Sequence, residues 1–183
     1  MLGPVLEGKL VTLAPLDRAN LENYCRWSND RQCIRYLLIQ HPLTIEQEQT
    51  WFERIAGAPD EIVWEIRREG RHIGSIGLHR IDWRNQRATG GIWIGESSAH
   101  GKGFGSEAMA LRTRYAFHDL GLHKVMTSSL VANVASRRAA LSAGYRECGC
   151  LRRHLYRDGQ WHDEWLGEVL RDEWETTWLP AHS

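Results

Sequence analysis

Hydrophobic and polar residues alternate along several stretches of the chain, and this alternation predicts β-strands. The first stretch is GKLVTLAPL, residues 8–16. The next two, residues 61–68 and 71–82, are separated by the turn dipeptide Glu-Gly, which favours a β-hairpin. RATGGIWIG, residues 87–95, follows a polar turn. The last three stretches therefore predict three consecutive antiparallel strands.

Other stretches repeat their apolar residues at helical spacing. Residues 17–30 predict a short helix, and residues 42–57 predict a longer one that begins with a capping box of Thr44 and Gln47. A third helix is predicted over about residues 106–118. The fourth spans NVASRRAALSAGY, with Asn133 at its N-cap and Gly144 just beyond its end.

The remaining segments complete the order of elements. HKVMTSSL predicts a strand between the last two helices, and residues 145–170 predict two strands around the turn RDGQ. The pattern of the final thirteen residues indicates no particular element. The predicted order is β-α-α-β-β-β-α-β-α-β-β, which is a mixed α/β fold with one β-α-β unit at its centre.

Composition narrows the class of protein. The chain has 183 residues, 42% of them hydrophobic, which fits one domain over 1–183 with a core of about 6–174. Because 23 basic residues balance 23 acidic ones, nucleic acid is not a favoured partner. No signal peptide and no run of eighteen apolar residues occurs, so we expect a soluble, cytoplasmic protein without a membrane partner. The four cysteines lack zinc-site spacing, so we expect reduced thiols and no metal.

Three glycines, Gly101, Gly103 and Gly105, stand immediately before the third helix, together with Lys102. The first N–H groups of a helix have no backbone partner and attract an anion, typically a phosphate. Glycines allow the backbone to approach a bulky ligand. The stretch therefore predicts a phosphate-binding loop. It does not match the P-loop GxxxxGK[ST], and the strict dinucleotide motif GxGxxG fails at Ser106.

The same loop resembles that of the GNAT N-acetyltransferase superfamily, which carries [Q/R]-x-x-G-x-[G/A] between a strand and a helix. His100, Gly103 and Gly105 occupy those positions, with His replacing Gln or Arg. GKGFGSEAM is similar to the GKGxxxEA of the RimJ/RimL branch, and NVASRRAALSAGYRECG is similar to NxxSxxxxxKxGFxxxG of the same branch. Similar segments at both ends extend the resemblance over residues 6–174.

The resemblance implies a GNAT fold: a mixed, mostly antiparallel sheet of about seven strands flanked by four helices, with a V-shaped gap between strands four and five. It also implies acetyl-CoA as the cosubstrate, with its pyrophosphate on the loop and its pantetheine beside the strand that ends at Glu96. Gly90 and Gly91 permit a β-bulge in that strand. The expected cosubstrate-binding residues are Ile92, Trp93, Ile94, His100, Gly101, Lys102, Gly103, Phe104, Gly105, Ser106 and Asn133.

Acetyl transfer to an amine requires removal of a proton from the amine, stabilisation of an oxyanion and protonation of the leaving thiolate. By analogy with the fold, a backbone N–H near Ile94 is the expected oxyanion donor, and Ser136 is the candidate acid. Glu96 is the candidate base, with His79 as an alternative. Tyr145 and Tyr156 could also donate protons, although each fits a core position equally well.

The resemblance implies an acetyl-CoA-dependent N-acetyltransferase that acts on a peptide N-terminus or on a small amine such as a polyamine or aminoglycoside. A homodimer is consistent with the branch. Trp27, Trp51, Trp83 and Trp161 fall in segments that border the acceptor groove in such enzymes, and acidic residues such as Asp30 and Glu164 could attract a cationic amine. The alternatives are a non-catalytic CoA-sensing module on the same fold and a nucleotide-binding protein, which the failed motifs disfavour.

Overall fold

Eight strands form one sheet in the computed structural model, which describes residues 1–37, 39 and 41–182. The strands are β1 (Leu6–Glu7), β2 (Thr12–Pro15), β3 (Ile62–Arg68), β4 (Arg71–Asp82), β5 (Arg87–Ile94), β6 (Lys124–Leu130), β7 (Arg146–Arg157) and β8 (Gln160–Leu170). Their spatial order is β1-β2-β3-β4-β5-β6-β8-β7, and only the β5–β6 pair is parallel. The mixed, mostly antiparallel sheet is confirmed, with one short strand, β1, more than expected.

Four longer helices cover the sheet, in the predicted order. They are α1 (Leu21–Ser28), α2 (Ile45–Gly57), α3 (Phe104–His118) and α4 (Val134–Ser142). The C-terminal segment, for which the pattern indicated nothing, is also helical: α5 (Arg171–Glu173), a π-helical turn (Trp174–Trp178) and α6 (Leu179–His182). None of the described helices is long and apolar enough to cross a membrane.

The predicted helix ends are confirmed. Thr44 and Gln47 form both hydrogen bonds of the capping box at the start of α2. The Asn133 side chain accepts from the Ser136 N–H at the start of α4. Gly144 follows α4 with a φ of 91°, a left-handed conformation that favours glycine.

Each face of the sheet has its own hydrophobic core. On one face, α3 and α4 pack on the strands through residues such as Met109, Phe117 and Ile76. On the other face, α1 and α2 contribute a smaller core that includes Trp27 and Ile55. The strands between the two cores are covered on both sides, which explains why the first five residues of β3 are all buried.

The sheet divides along its single parallel pair. β5 and β6 pair over four positions, from Arg87 opposite Lys124 to Gly90 opposite Thr127. Beyond this point the two strands no longer pair with each other, although β5 continues to Ile94 and β6 to Leu130. The expected V-shaped gap is therefore present between these two strands.

The expected bulge in the glycine-containing strand is wrong. Gly90 to Ile94 pair with β4 in unbroken register. The irregularity between the two strands lies in β4, between His79 and Asp82, where Arg80 has a φ of 51°. The gap therefore arises from the end of the parallel pairing and not from extra residues in β5.

Candidate functional site

The glycine loop turns the chain from β5 into α3 through two left-handed residues. Gly101 and Gly103 have φ values of 72° and 82°, and Gly103 is the N-cap of α3. A side chain would be strained at both positions. The backbone N–H groups of Phe104, Gly105 and Ser106 lie in the first turn, where no intrahelical acceptor exists. The loop can therefore bind an anion, and the exposed Lys102 adds a positive charge beside it.

Gly105 joins three elements at the gap. A Cβ at this position would lie 3.7 Å from Cδ1 of Ile92 on β5 and 3.9 Å from Cβ of Ala139 on α4. The first turn of α3, the unpaired end of β5 and the helix α4 therefore meet here. Most of the residues predicted to bind the cosubstrate belong to these elements.

His100 has a structural contact within this group. Its Nε2 lies 2.9 Å from the Ile94 carbonyl oxygen, and its ring is exposed. The imidazole thus ties the start of the loop to the end of β5. This contact accounts for a polar side chain at the first position of the motif without requiring it to contact a ligand.

Glu107, which is not among the predicted site residues, anchors the loop to the N-terminal part of the chain. Its carboxylate accepts hydrogen bonds from the backbone N–H groups of Lys9, Leu10 and Val11 at 2.7–2.9 Å. The first turn of α3 is therefore anchored to the turn that precedes β2. The Glu-Ala pair of the GKGxxxEA motif was the available signal for this role.

The unpaired backbone of β5 faces the gap. The Gly91 carbonyl accepts from Arg112, which also donates to Gly77 on β4, so this carbonyl lies on the β4 side. Because successive peptide groups alternate in direction along a strand, those of Ile92 and Ile94 point the other way. The N–H and carbonyl of Ile92 are therefore available in the gap. The Ile94 carbonyl, in contrast, accepts from His100.

Ser136 lies on the face of α4 that borders this region. It stands three residues before Ala139, so the two share one side of the helix. Its backbone N–H is capped by Asn133 at 3.1 Å, and its hydroxyl has no hydrogen-bond partner within the described part of the chain. Ser136 is partly exposed and can donate to a bound molecule.

Arg112 is fully buried beneath β5, which the apolar pattern of the helix does not predict. Its Nη1 donates to the carbonyl oxygens of Gly77 and Gly91 at 3.3 and 3.2 Å, and its Nη2 donates to the Tyr145 hydroxyl at 2.9 Å. A Cβ at Gly90 would lie only 2.4 Å from the guanidinium carbon. Gly90 therefore leaves the space that the guanidinium fills. Tyr145 is a core residue of this network, not an exposed proton donor.

A cavity of about 640 Å³ lies on the opposite face of β5. The segment between α1 and α2, the helix α2 and the strands β3, β4 and β5 form its walls. Its lining residues are Leu37, Ile39, His41, Leu43, Trp51, Val63, Ser75, Ile76, Gly77, His79, Gly91, Ile92 and Trp93. The cavity and the gap therefore share the Gly91–Trp93 segment as a common wall.

His79 lies in this cavity over the paired glycines Gly77 and Gly91. A Cβ at Gly91 would lie 3.4 Å from its Nε2, and its Nδ1 is 3.0 Å from Oε2 of Glu61. Burial of the Glu61 carboxyl acts to raise its pKa, but hydrogen bonds from Arg54 and His79 outweigh this effect and lower it. Glu61 is thus an anionic partner that orients the imidazole, with Nε2 directed away from it.

Glu96, the predicted base, does not line the cavity. Its Oε2 lies 3.4 Å from Arg26 and 3.7 Å from Arg71, so the carboxylate is paired with two guanidinium groups. Tyr156 also lies elsewhere: it is exposed on the β7–β8 hairpin against Trp161.

The predicted acceptor-groove residues divide into two groups. Trp51 lines the cavity, and Trp27 is buried behind it, with its ring centroid 5.6 Å from that of Trp93. Trp83 and Trp161 are exposed outside the cavity. Neither Asp30 nor Glu164 belongs to the lining residues.

The segment between α1 and α2 is attached to the C-terminal hairpin. Arg157 donates to the carbonyl oxygens of Ile34 at 2.7 Å and Ile39 at 3.5 Å. On its other side, the Cys33 thiol donates to the Gly95 carbonyl just beyond β5. These contacts hold the apolar lining residues of this segment over the cavity.

The described residues contain no group of three or more His, Cys, Asp or Glu side chains that could hold a metal ion. A family model described as an acetyltransferase (GNAT) domain matches residues 11–146, about three quarters of the chain. The chain belongs to the GNAT acetyltransferase family. It is therefore an acetyl-CoA-dependent acyltransferase, and the fold described above is the GNAT fold.

Relatives of this GNAT chain support the assignment. It is 30% identical over 175 residues to the uncharacterized N-acetyltransferase YoaA of Bacillus subtilis, covering 92% of this chain and 97% of YoaA. It is 36% identical over 107 residues to the putative ribosomal N-acetyltransferase YdaF of the same organism, a match that spans 58% of each chain.

Solved structures share the fold. A spermidine N-acetyltransferase from Vibrio cholerae, in complex with CoA and spermine, superposes with a TM-score of 0.85 at 20% identity, covering 92% of this chain and all of that one. RimJ of Mycobacterium smegmatis, in complex with CoA-disulfide, gives a TM-score of 0.80 at 21% identity, with 94% and 88% covered. These similarities concern the fold.

Proposed function

We propose that this chain transfers the acetyl group of acetyl-CoA to a primary amine, at the point where the gap and the cavity share β5. The observation that carries the proposal is that wall: within Gly91–Trp93, the peptide groups of Ile92 face the gap beyond the last β5–β6 pair, and the segment lines the cavity on its other side. A thioester in the gap and an amine in the cavity would meet there. The glycine loop at the mouth of the gap has the free N–H groups and the space that a pyrophosphate requires.

The cosubstrate supplies an activated acetyl group, and the residues of this chain hold it and move protons around it. We propose that Phe104, Gly105 and Ser106 bind the pyrophosphate through their N–H groups, with Gly101, Lys102 and Gly103 shaping and charging the loop. The strand residues Ile92, Trp93 and Ile94 and the side chain of Asn133 would border the pantetheine. His100 would hold the loop against the strand.

Three roles complete the proposed reaction. The Ile92 N–H, which points into the gap, is placed to stabilise the oxyanion. The free hydroxyl of Ser136 would protonate the leaving thiolate. Of the two candidate bases, we propose that His79 takes the proton of the amine, directly or through water, because it lies in the cavity and Glu61 orients it. Glu96 is paired with two arginines, so we propose that it contributes to the charge of the site and is not the base.

The acceptor would be a peptide N-terminus or a small-molecule amine. The resemblance to the RimJ/RimL branch supports the former, and the name of the spermidine N-acetyltransferase neighbour gives an example of the latter. The same resemblance leads us to propose a cytoplasmic homodimer, which sedimentation at two protein concentrations would test. A non-catalytic CoA-sensing module is disfavoured because the cavity has an oriented imidazole in place beside the gap.

Calorimetric titration with acetyl-CoA tests the proposal. We expect a dissociation constant of about 1 μM, which corresponds to roughly −8 kcal/mol, and no binding of ATP or NAD. Gly103→Glu should abolish binding by placing a carboxylate against the pyrophosphate. Gly103→Ala is the matched control, since it carries the same backbone strain at φ 82° without the charge and its Cβ would meet only Leu10, at 3.6 Å. Wild-type affinity in a folded Gly103→Glu variant would refute the assignment of the loop.

A further inference from the structure

The cavity on the α1–α2 side of β5 has a chemistry that selects among amines. It touches the proposed reaction point, because its lining includes the same Gly91–Trp93 segment that borders the gap. A molecule that fills the cavity therefore places one end next to that segment. The nature of the walls then decides which amines are held there, and this argument rests on the proposed acetyl transfer.

The walls of this cavity are apolar. Six aliphatic residues and two tryptophans contribute to them, and none of the described lining residues is Asp, Glu, Lys or Arg. Among the described lining residues, the polar side chains are those of His41, Ser75 and His79. An extended polycation needs carboxylates along its length, since a charge moved from water into apolar surroundings without a partner is strongly disfavoured. The described lining residues offer none.

The tryptophan walls are held rigidly. Trp51 and Trp93 pack against Tyr24, with ring centroids 5.5 and 5.9 Å apart, and Trp93 also packs edge-on against the buried Trp27. Aromatic surfaces fixed in this way bury apolar groups at a low cost in conformational entropy. At about 640 Å³ the cavity is in the range of small-molecule pockets and is larger than an amino group and a short chain require.

One polar group lies where the amine must be. His79 covers Gly91 at the shared wall, and its Nε2 is directed away from Glu61 into the cavity region. An acceptor with its apolar part against Trp51 and Trp93 would present a single amine to this nitrogen. The walls thus suit a molecule with one polar end and one apolar end.

We propose that the acceptor is a primary amine carried directly on an apolar body, either the N-terminus of a peptide whose first residue is large and hydrophobic or an arylalkylamine. The apolar body fills the cavity and the amine lies at His79. Polyamines and peptides that begin with a charged residue are poor acceptors.

Steady-state CoA release with matched acceptors tests this selectivity. Two pentapeptides that differ only in a first residue of Leu or Asp form one pair, 2-phenylethylamine and ethanolamine form a second, and spermidine is the polycation. In at least one pair, we expect kcat/KM for the apolar member to be at least about tenfold higher than kcat/KM for its partner and for spermidine. A few methylene groups provide discrimination of this size. Which pair responds identifies the source of the amine.

A charge placed in the wall tests the site itself. Leu43→Glu should lower kcat/KM for the preferred apolar amine at least about tenfold and raise it for spermidine. Leu151→Glu is the matched control, because Leu151 is an exposed leucine of β7 outside the cavity lining. It should change neither value.

Two results would overturn the proposal: a preference for spermidine or for the charged peptide, or equal effects of the two leucine substitutions. Acetyl-CoA titration is run on the same protein preparations. If acetyl-CoA binds and spermidine is preferred, the apolar selectivity is wrong and acetyl transfer stands. If acetyl-CoA does not bind, the proposed function itself is refuted.

Discussion

The two faces of β5 differ sharply at adjacent glycines. At Gly90 the missing side chain is replaced by the guanidinium of Arg112, whose Nη atoms hydrogen-bond with two strand carbonyls and Tyr145. At Gly91, on the opposite face, the strand borders an apolar cavity and only the edge of the His79 ring approaches. The same residue type in consecutive positions therefore serves a filled polar site on one side and an open site on the other.

The contrast between the two faces explains how one strand can be both rigid and accessible. Arg112 bridges Gly77 on β4 and Gly91 on β5 from the face packed against α3, which we call the covered face. The strand is thus fixed without using the groups that face the gap. The side of β5 that lines the cavity therefore needs no such contact, and the cavity can remain open. We expect substitutions on the covered face to affect mainly stability and those on the cavity face to affect mainly turnover.

The largest effect should come from the covered face. Gly90→Ala places a Cβ 2.4 Å from the Arg112 guanidinium carbon, and Arg112→Leu leaves the Tyr145 hydroxyl without this donor. We expect each to lower the free energy of unfolding by about 2–4 kcal/mol, measured by urea denaturation. The double variant should cost clearly less than the sum, because leucine vacates the space the new methyl group needs.

Gly91→Ala is the comparison for Gly90→Ala, since its Cβ would stand 3.4 Å from the His79 ring and meet no backbone atom within 4 Å. We expect it to cost less than about 1.5 kcal/mol while lowering turnover. Equal losses of stability at the two glycines would contradict the proposed division between the faces.

The next effect concerns the proton acceptor on the cavity face. His79→Gln should lower kcat by about 100-fold, in the range typical of general-base catalysis, with little change in stability because Glu61 keeps its ion pair with Arg54. Glu96→Gln should lower it by less than about tenfold. The reverse ranking would return the role of base to Glu96.

A smaller change is expected at the gap itself. Ser136→Ala should lower kcat by about tenfold and leave the affinity for acetyl-CoA unchanged, since its hydroxyl supports neither the helix cap nor another side chain. Ser142→Ala, an exposed serine at the end of the same helix, is the control. Unchanged turnover in the Ser136 variant would remove this residue from the reaction.

The smallest effect is a pH dependence of stability that arises from α2. Burial raises the pKa of Glu48 on α2 from 4.5 to about 7. Because the folded protein favours the protonated form, stability should decrease as the pH rises from about 4.5 through about 7. Glu48→Gln should raise the melting temperature at pH 8 by about 2–4 °C and have little effect at pH 4.5. An equal shift at both pH values would show that the charge is not responsible.

Local signals in the sequence predicted much of this structure. The capping box at Thr44, the cap at Asn133 and the glycine loop each depend on residues within a few positions, and all lie where expected. Arg112 could not be found this way, since a single charged residue in a helical pattern is ordinarily assigned to the surface. Its burial depends on Gly90 and Tyr145, which are distant in sequence.

The alternation of hydrophobic and polar residues also could not predict the pairing of His79 with Glu61. In the hairpin of β3 and β4, Arg67 pairs with His72 but Ile66 pairs with Gly74, so Ile73 is an extra residue that shifts the register. An unbroken hairpin would bring Glu61 opposite Leu78, which faces the other core. Such a one-residue shift decides which side chains meet, and a repeating pattern does not reveal it.

The short parallel seam between β5 and β6 also creates a built-in spectroscopic reporter. The amide of Ile92 lies just beyond the last paired residues, next to amides that are locked in the ladder. In deuterated solvent it should exchange quickly, while the amides of the adjoining seam exchange slowly. A ligand that adds its own hydrogen bonds along this edge would slow that exchange selectively. Occupancy of the gap could thus be read from one backbone proton, without any acceptor or any catalytic turnover.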